Sequence, residues 1–389
     1  MVPREEIENR TRAFQEALSA EGLDGALIVQ DVDLFYLSGT AQNAHLVVPA
    51  DGEPALFVRK TLSRAREETS LERVEPLRSL RDLPSALASC GLDGGRLGLE
   101  LDVLPAAQFL QYQHRLERSE LADCSRLLRA VRARKSPWEL EQIRRAAGML
   151  SRIDRWTADV LREGMTEIEL AAEIERLLRR EGHQGIIHFR GFNQEMFYGS
   201  VLAGPSAAVP GATETPIVGP GPNVAVSKGA SSRPIGRGEP IIIDLCGTWE
   251  GYLADQTRTF SLGPVEDKFH EAYEAAREIL HTVAAEAGPG RAPSALYDRS
   301  VELAGDREGF MGAGEERVSF VGHGFGLEID ELPLLMPGAD EPLAEGMVFA
   351  LEPKFIYPGE GAVGVENSYV VTADGVEQLT TAPEELIEL

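Results

Sequence analysis

Five ionisable side chains in the second half of this chain stand where buried β-strands would otherwise be read. Asp244 closes the apolar run IIID, and Asp255 follows beyond a Gly-rich turn at Gly247 to Gly251. His323 lies between glycines in FVGHGFG, Glu352 ends GMVFALE ahead of Pro353, and Glu366 interrupts GAVGVENSYVV. Ile241, Ile242 and Ile243 are β-branched, and the return segment runs into Thr257, Thr259 and Phe260, so strand, turn, strand is the reading. Such a hairpin can bring both aspartates into one pocket. An unpaired carboxylate in apolar company is costly, and four that converge push one another's pKa upward. Divalent cations remove that conflict, because hard oxygen ligands plus one imidazole suit Mn²⁺, Co²⁺ or Zn²⁺.

The rest of the composition narrows the class. With 38 basic against 63 acidic residues, the 389-residue chain carries a formal charge of −25. A polyanion would be repelled over most of such a surface, which excludes nucleic acid as a partner. No stretch has the length and apolarity of a membrane span, and the first residues are charged from Arg4 onward, so no membrane partner and a cytoplasmic location are expected. Cys90, Cys124 and Cys246 are odd in number and lack CxxC spacing, which argues against a disulfide framework. Cys246, close after Asp244, reads as a small buried core residue.

Along the chain, Arg4 to Glu21 has apolar residues at helical spacing, with Gly22 to stop it. A buried strand and a short segment ending at Gly39 follow, then a hairpin around Asp51-Gly52. A strand is expected at Leu97 to Leu101, and helices at Leu104 to His114 and Ser119 to Leu128. Ser136 with Pro137 and Glu139, and Thr166 with Glu169, are capping signatures of two further helices. Gly199 to Gly238 holds too much glycine and proline for a long helix or a central strand, and reads as a structured loop bordering the pocket. Helix returns at Lys268 to Ala285, and again within Gly290 to Phe310 behind a cap at Ser294.

The order Asp, Asp, His, Glu, Glu, with DQTRTF at Asp255 to Phe260, GHGFG at Gly322 to Gly326 and LEP at Leu351 to Pro353, resembles the prolidase, aminopeptidase P and methionine aminopeptidase family. KSPWE at Lys135 to Glu139, GMTE at Gly164 to Glu167 and FYLSG at Phe35 to Gly39 extend the likeness over nearly the whole chain and select the prolidase and aminopeptidase P branch. The resemblance implies an α/β (α+β) chain of two domains: a creatinase/prolidase-like module at 1–130 and a pita-bread catalytic domain at 131–389. It implies two divalent metal ions per chain, Mn²⁺ first and Co²⁺ or Zn²⁺ as alternatives. Asp244 would chelate one ion, Asp255 and Glu366 would bridge both, and His323 and Glu352 would bind the other. Glu352 would also carry a proton. A small peptide or amino-acid-derived substrate, X-Pro amide hydrolysis and a homodimer complete what the likeness implies.

Three positions depart from that pattern. Where family peptidases place a histidine ahead of the first metal aspartate, this chain has Ser227, with Lys228 beside it. Where a His-Glu pair is expected after GHGFGLEI, it has Asp330-Glu331, a carboxylate that favours a cationic group nearby. Where an arginine commonly precedes the last glutamate, it has Gly364, losing a fixed positive charge. Lys228 and Asp330 are therefore the candidate auxiliary catalytic residues. Arg233 is a candidate for the missing arginine, and His188 and Arg190 for entry from the other side. The departures keep two alternatives open: a hydrolase or lyase of a small modified or cationic amino-acid-like compound, and a catalytically inactive binding protein.

Overall fold

The computed structural model describes residues 1–213 and 215–389. They form two compact units, one of Met1–Arg132 with Arg190–Asn193, the other of Ala133–Phe189 with Gln194–Leu389. The amino-terminal elements are α1 (Arg4–Glu21), β1 (Gly25–Ile28), α2 (Asp31–Ser38), β2 (Ala44–Pro49), β3 (Ala55–Val58), α3 (Leu62–Glu68), β4 (Val74–Pro76), α4 (Leu83–Ala88), β5 (Gly95–Leu99), α5 (Ala106–Arg115), β6 (Ser119–Asp123) and α6 (Ser125–Ala133). Their six strands make one mixed sheet in the order β4-β3-β2-β1-β5-β6. Its core includes Leu27, Val47, Phe57, Leu97 and Tyr112. α1 stops where expected, at Gly22, whose φ of 71° is the left-handed cap that glycine adopts at least cost.

The helix expected over Ser119 to Leu128 is not formed as one piece. Residues 119–123 pair in parallel with β5, and helix begins only at Ser125. The Asp123 carboxylate accepts the Ser125 N–H at 3.0 Å and the Leu101 N–H at 3.3 Å, a local side-chain turn that separates strand from helix.

The second unit continues with α7 (Pro137–Leu150), α8 (Ile153–Val160), α9 (Glu167–Arg180), β7 (Gly199–Ala203), β8 (Ile241–Trp249), β9 (Tyr252–Ser261), α10 (Asp267–Glu286), α11 (Pro293–Ala304), β10 (Gly322–Phe325), β11 (Ile329–Leu335), β12 (Val348–Leu351), β13 (Lys354–Tyr357), β14 (Gly361–Gly364), β15 (Asn367–Thr372), β16 (Gly375–Gln378) and β17 (Ile387–Glu388). Both capping boxes are made, Ser136 with Glu139 and Thr166 with Glu169. The cap of α11 is Ala292, with Pro293 in the first turn; the expected Ser294 instead donates to Asp340 at 2.6 Å. One sheet runs β17-β9-β8-β7, a second β11-β10-β12-β15-β16, and β13 pairs with β14. The turn between β8 and β9 is tighter than expected, because Gly247 lies within β8. A Cβ there would come 2.1 Å from the Ala146 carbonyl of α7, so the glycine serves close helix packing rather than the turn.

The Gly/Pro-rich segment opens with β7 on the sheet edge, where such a sequence is tolerated. A buried carboxylate pins both ends of the loop beyond β7: Glu167 accepts the Ala203 N–H at 2.9 Å, the Ser231 N–H at 2.9 Å and the Ser231 hydroxyl at 2.6 Å. Glu167→Ala strands those donors in the interior. It is expected to lower the unfolding free energy by about 3 kcal/mol, read from denaturant midpoints.

His183 is fixed with equal economy. Its Nδ1 accepts the Gly185 N–H at 2.9 Å, which leaves Nε2 to donate to the Cys246 carbonyl at 3.0 Å. Burial pushes its pKa down to about 4, against the opposing pull of the Cys246 carbonyl. The unfolded ring takes up its proton near pH 6.5, so between pH 6.5 and 4 the unfolded chain binds more protons and stability falls as pH falls. Denaturation at stepped pH is expected to show that slope, and His183→Gln to lose part of it.

Candidate metal centre

Asp244 on β8 stands opposite Thr257 of β9, and Asp255 opposite Cys246. With a side-chain period of two, all four share one face, and the aspartates are diagonal neighbours. His323 comes from β10, flanked by Leu334 on one side and Ala350 on the other. Glu352 directly follows β12, its N–H bonded to the Val321 carbonyl at 2.9 Å. Glu366 lies between β14 and β15, with its N–H on the Thr257 carbonyl at 3.2 Å. The five residues come from two sheets and are all buried.

The DQTRT run holds those sheets in register. Thr257 Oγ1 donates to Glu366 Oε2 at 2.6 Å, and Thr259 Oγ1 to the Gly364 carbonyl at 2.9 Å. Arg258, fully buried, donates to the carbonyls of Thr257 and Glu366 at 2.8 and 2.7 Å, and to Asn367 Oδ1 at 2.8 Å. Ser368 closes the seam, its hydroxyl bonded to both the N–H and the carbonyl of Asp255.

Two sets of ligand atoms lie within 4.8 Å of one another: Asp255, His323 and Glu366 form one, Asp244, Glu352 and Glu366 the other. Sequence reasoning missed what stands in the second. Lys354, with no exposed surface, places Nζ 2.5 Å from Glu352 Oε2, 3.1 Å from Glu366 Oε2 and 3.3 Å from Asp244 Oδ2. Two divalent ions were expected, yet one of the two groups already contains a resident ammonium. The available signal was a lysine two residues beyond Glu352, opening the otherwise apolar strand KFIY.

The electrostatics follow from burial. Burial raises the Asp255 carboxyl well above the usual range, and Glu366, Asp244 and Glu352 raise it further. Burial likewise raises Asp244, although Lys354 pulls the other way. Burial opposes protonation of His323, but Asp330, Glu352 and Glu366 outweigh it and hold the ring above its ordinary value. Cys246 is buried, and desolvation with the neighbouring Asp255 and Asp244 pushes its thiol well up, consistent with a core role.

Asp244, Asp255, His323, Glu352 and Glu366 all face a cavity of about 390 Å³ whose other walls include Phe189, Phe197, Phe320 and Met336. The Gly/Pro-rich segment borders it through Thr213, Ile217 and Val218, as expected. Lys228 and Asp330 also line it. Lys228 Nζ donates to the Glu195 carbonyl at 2.6 Å, and the exposed Asp330 lies 3.5 Å from His323 Nδ1. Glu331, next to it, is structural: it pairs with Lys135 at 2.9 Å and accepts the Leu327 and Glu328 N–H groups.

The remaining stand-ins are committed elsewhere. Arg233 pairs with Glu239 and donates to the Ala203 carbonyl, so it does not replace the missing arginine. Arg190 belongs to the amino-terminal unit, where it pairs with Asp33 and Asp102. His188 is exposed, and its carbonyl accepts the Ile329 N–H.

Carboxylates and an imidazole gathered from two sheets around one cavity define a metallohydrolase. Residues 141–373 match Metallopeptidase family M24, and residues 10–134 match the Creatinase/Prolidase N-terminal domain. The chain belongs to metallopeptidase family M24, in its prolidase branch. It is similar to a protein named "Probable dipeptidase PepE" of Mycobacterium tuberculosis, at 28% identity over 98% of this chain and 96% of the relative. It is 26% identical to the Xaa-Pro dipeptidase of Pyrococcus horikoshii, over 98% of this chain and 99% of that one. The crystal structure of the prolidase from Pyrococcus horikoshii superposes with a TM-score of 0.82 over 97% of this chain and 100% of that chain, at 24% identity, which shows the shared pita-bread fold.

A cluster assembled against its own repulsion is less stable than it need be. Asp255→Asn removes one buried charge that Glu366, Asp244 and Glu352 oppose. It is expected to raise the melting temperature of the metal-stripped protein by about 2–4 °C, roughly 1 kcal/mol, while hydrolysis is lost; differential scanning calorimetry and an activity assay check both.

Proposed function

We propose that this chain is a divalent-metal-dependent peptidase of the Xaa-Pro dipeptidase and aminopeptidase type. The observation that carries this reading is the convergence of Asp244, Asp255, His323, Glu352 and Glu366 on one buried wall of the cavity. We assign them as the residues of the metal centre, with Mn²⁺ first and Co²⁺ or Zn²⁺ as alternatives. The number of ions per chain, two by family likeness, turns on Lys354. The donor set fits a cation: Glu366 Oε1 is buried and has no hydrogen-bond partner, while Oε2 is shared by Thr257 and Lys354. When bound there, a divalent ion would supply an acidified water near neutral pH and Lewis-acid polarisation for the scissile carbonyl.

The chain's own residues supply the rest. Glu352 faces the cavity with Oε2 bound to Lys354 and Oε1 3.5 Å from His323, the placement of a carboxylate that takes a proton from the attacking water and returns it to the leaving amine. Asp330 lies beside His323 at the cavity surface, where it orients the ring and favours the ammonium end of a short peptide. Lys228 is the one cation among the described residues lining the cavity, and it suits the carboxylate end. The aromatic wall of Phe189, Phe197 and Phe320 excludes water and suits a compact apolar ring such as proline.

Residues 1–130 form the accessory module and residues 131–389 the catalytic domain in this reading. A homodimer in the cytoplasm, with a small peptide as substrate, belongs to the same proposal. No described helix is long and apolar enough to cross a membrane. The names of the relatives support the substrate class.

X-Pro dipeptides and longer peptides with proline second should be hydrolysed by Mn²⁺-loaded protein. Activity should disappear on chelation and return with Mn²⁺, Co²⁺ or Zn²⁺. Fully loaded protein that leaves every X-Pro bond intact would remove the specificity, and amidino, betaine-like and N-acyl amino acids in the same screen test the other substrate class.

A further inference from the structure

We infer that the Lys354 ammonium is a permanent cation of this centre, and that the chain accordingly holds a single divalent ion, at Asp255, His323 and Glu366, rather than a pair. The inference rests on the metal-centre reading above and concerns the number and place of the ions.

The first observation is where Nζ lies. Glu352 Oε2, Glu366 Oε2 and Asp244 Oδ2 surround it at 2.5, 3.1 and 3.3 Å. These are the same three residues whose ligand atoms make one of the two metal-sized groups. An ammonium has three donors and no acceptor, and here each carboxylate faces one donor. The spacing is that of charge-assisted hydrogen bonds. A divalent ion placed among these oxygens would meet the ammonium at contact distance, a like-charge encounter in a pocket with little water to screen it.

The second observation is how the side chain gets there. Lys354 pairs directly with Gly364 across β13 and β14. A Cβ built on Gly364 would fall 2.4 Å from Lys354 Cγ and 3.0 Å from its Cβ. The lysine stem therefore lies in the space that any side chain at 364 would fill, and with no exposed surface it has no open path to solvent. Positive charge absent at position 364 is present on its direct partner across the strand pair.

The third observation concerns the other group. Among the described residues, no ammonium contacts Asp255 or His323, and Glu366, the third member, has its Oε1 buried without a hydrogen-bond partner while Oε2 is the oxygen that meets Lys354. A buried carboxylate oxygen with nothing to accept from calls for a cation. One ammonium and one divalent ion leave the four carboxylates with a single net negative charge, so the cluster is close to balanced without a second ion. Lys354 is a positioning residue in this scheme: it holds Glu352, Glu366 and Asp244 and meets no substrate.

The test counts ions in the intact protein. Metal-stripped wild type is dialysed against excess Mn²⁺, freed of loose ion and analysed by inductively coupled plasma mass spectrometry, with electron paramagnetic resonance on the same sample. One Mn²⁺ per chain with the signal of an isolated ion is expected. Lys354→Gly should double the count and give the broadened signal of two exchange-coupled ions. Two ions in the wild type, or one ion in a folded Lys354→Gly protein, would overturn the inference and leave the metal-dependent peptidase standing. No ion in either would bring down the metal-centre reading as well. Lys354→Ala serves if the glycine variant does not fold, and the wild-type count decides on its own.

Discussion

Mutual repulsion among Asp244, Asp255, Glu352 and Glu366 is the constraint around which the second unit is organised. Buried carboxylates gain nothing from one another's company, so something has to hold them together and something has to cancel their charge. The holding is done by backbone pairing and by the donors of Thr257, Arg258, Thr259 and Ser368. The cancelling is left to cations. One of these, Lys354, belongs to the chain itself.

The holding explains a run of residues whose spacing alone had no reason. In DQTRTF, Asp255 faces the cavity, Thr257 fixes Glu366, Arg258 ties the strands through carbonyls of both, and Thr259 anchors the Gly364 backbone. A guanidinium suits this because its planar fork reaches several carbonyls at once from a fully buried position. Asp255, Thr257 and Thr259 share one face of β9, as the two-residue period of a strand requires, and Arg258 works from the other. A cavity-facing carboxylate and a structural seam are thus written into the same short segment.

The neutralisation explains the departures from the family pattern better than separate substitutions do. Gly364 looks like a lost charge when read in line. Seen across β13 and β14, it is the space that admits Lys354. Asp330 remains at the cavity beside His323, and Lys228 near its rim on the Glu195 carbonyl, so a charge of each sign faces the substrate space.

Residue order and pattern were enough to read the α/β class, the capped starts of α7 and α9, the β8–β9 hairpin and the five residues around the cavity. The caps and the hairpin are set by local chemistry, capping boxes and β-branched runs; the five residues stand out as ionisable groups in apolar strands, and the family resemblance joined them into one set. The strand at Ser119–Asp123 escaped because its fate was decided by pairing with β5, a contact that local periodicity does not encode. Lys354 escaped for a related reason. A lysine at the head of a short strand reads as a surface residue until the register puts Gly364 opposite it, and only three-dimensional convergence shows that its ammonium ends among three carboxylates. Sequence determined which groups had to be neutralised; tertiary structure decided which cations do it, because charge balance depends on distances through space and not on separation along the chain.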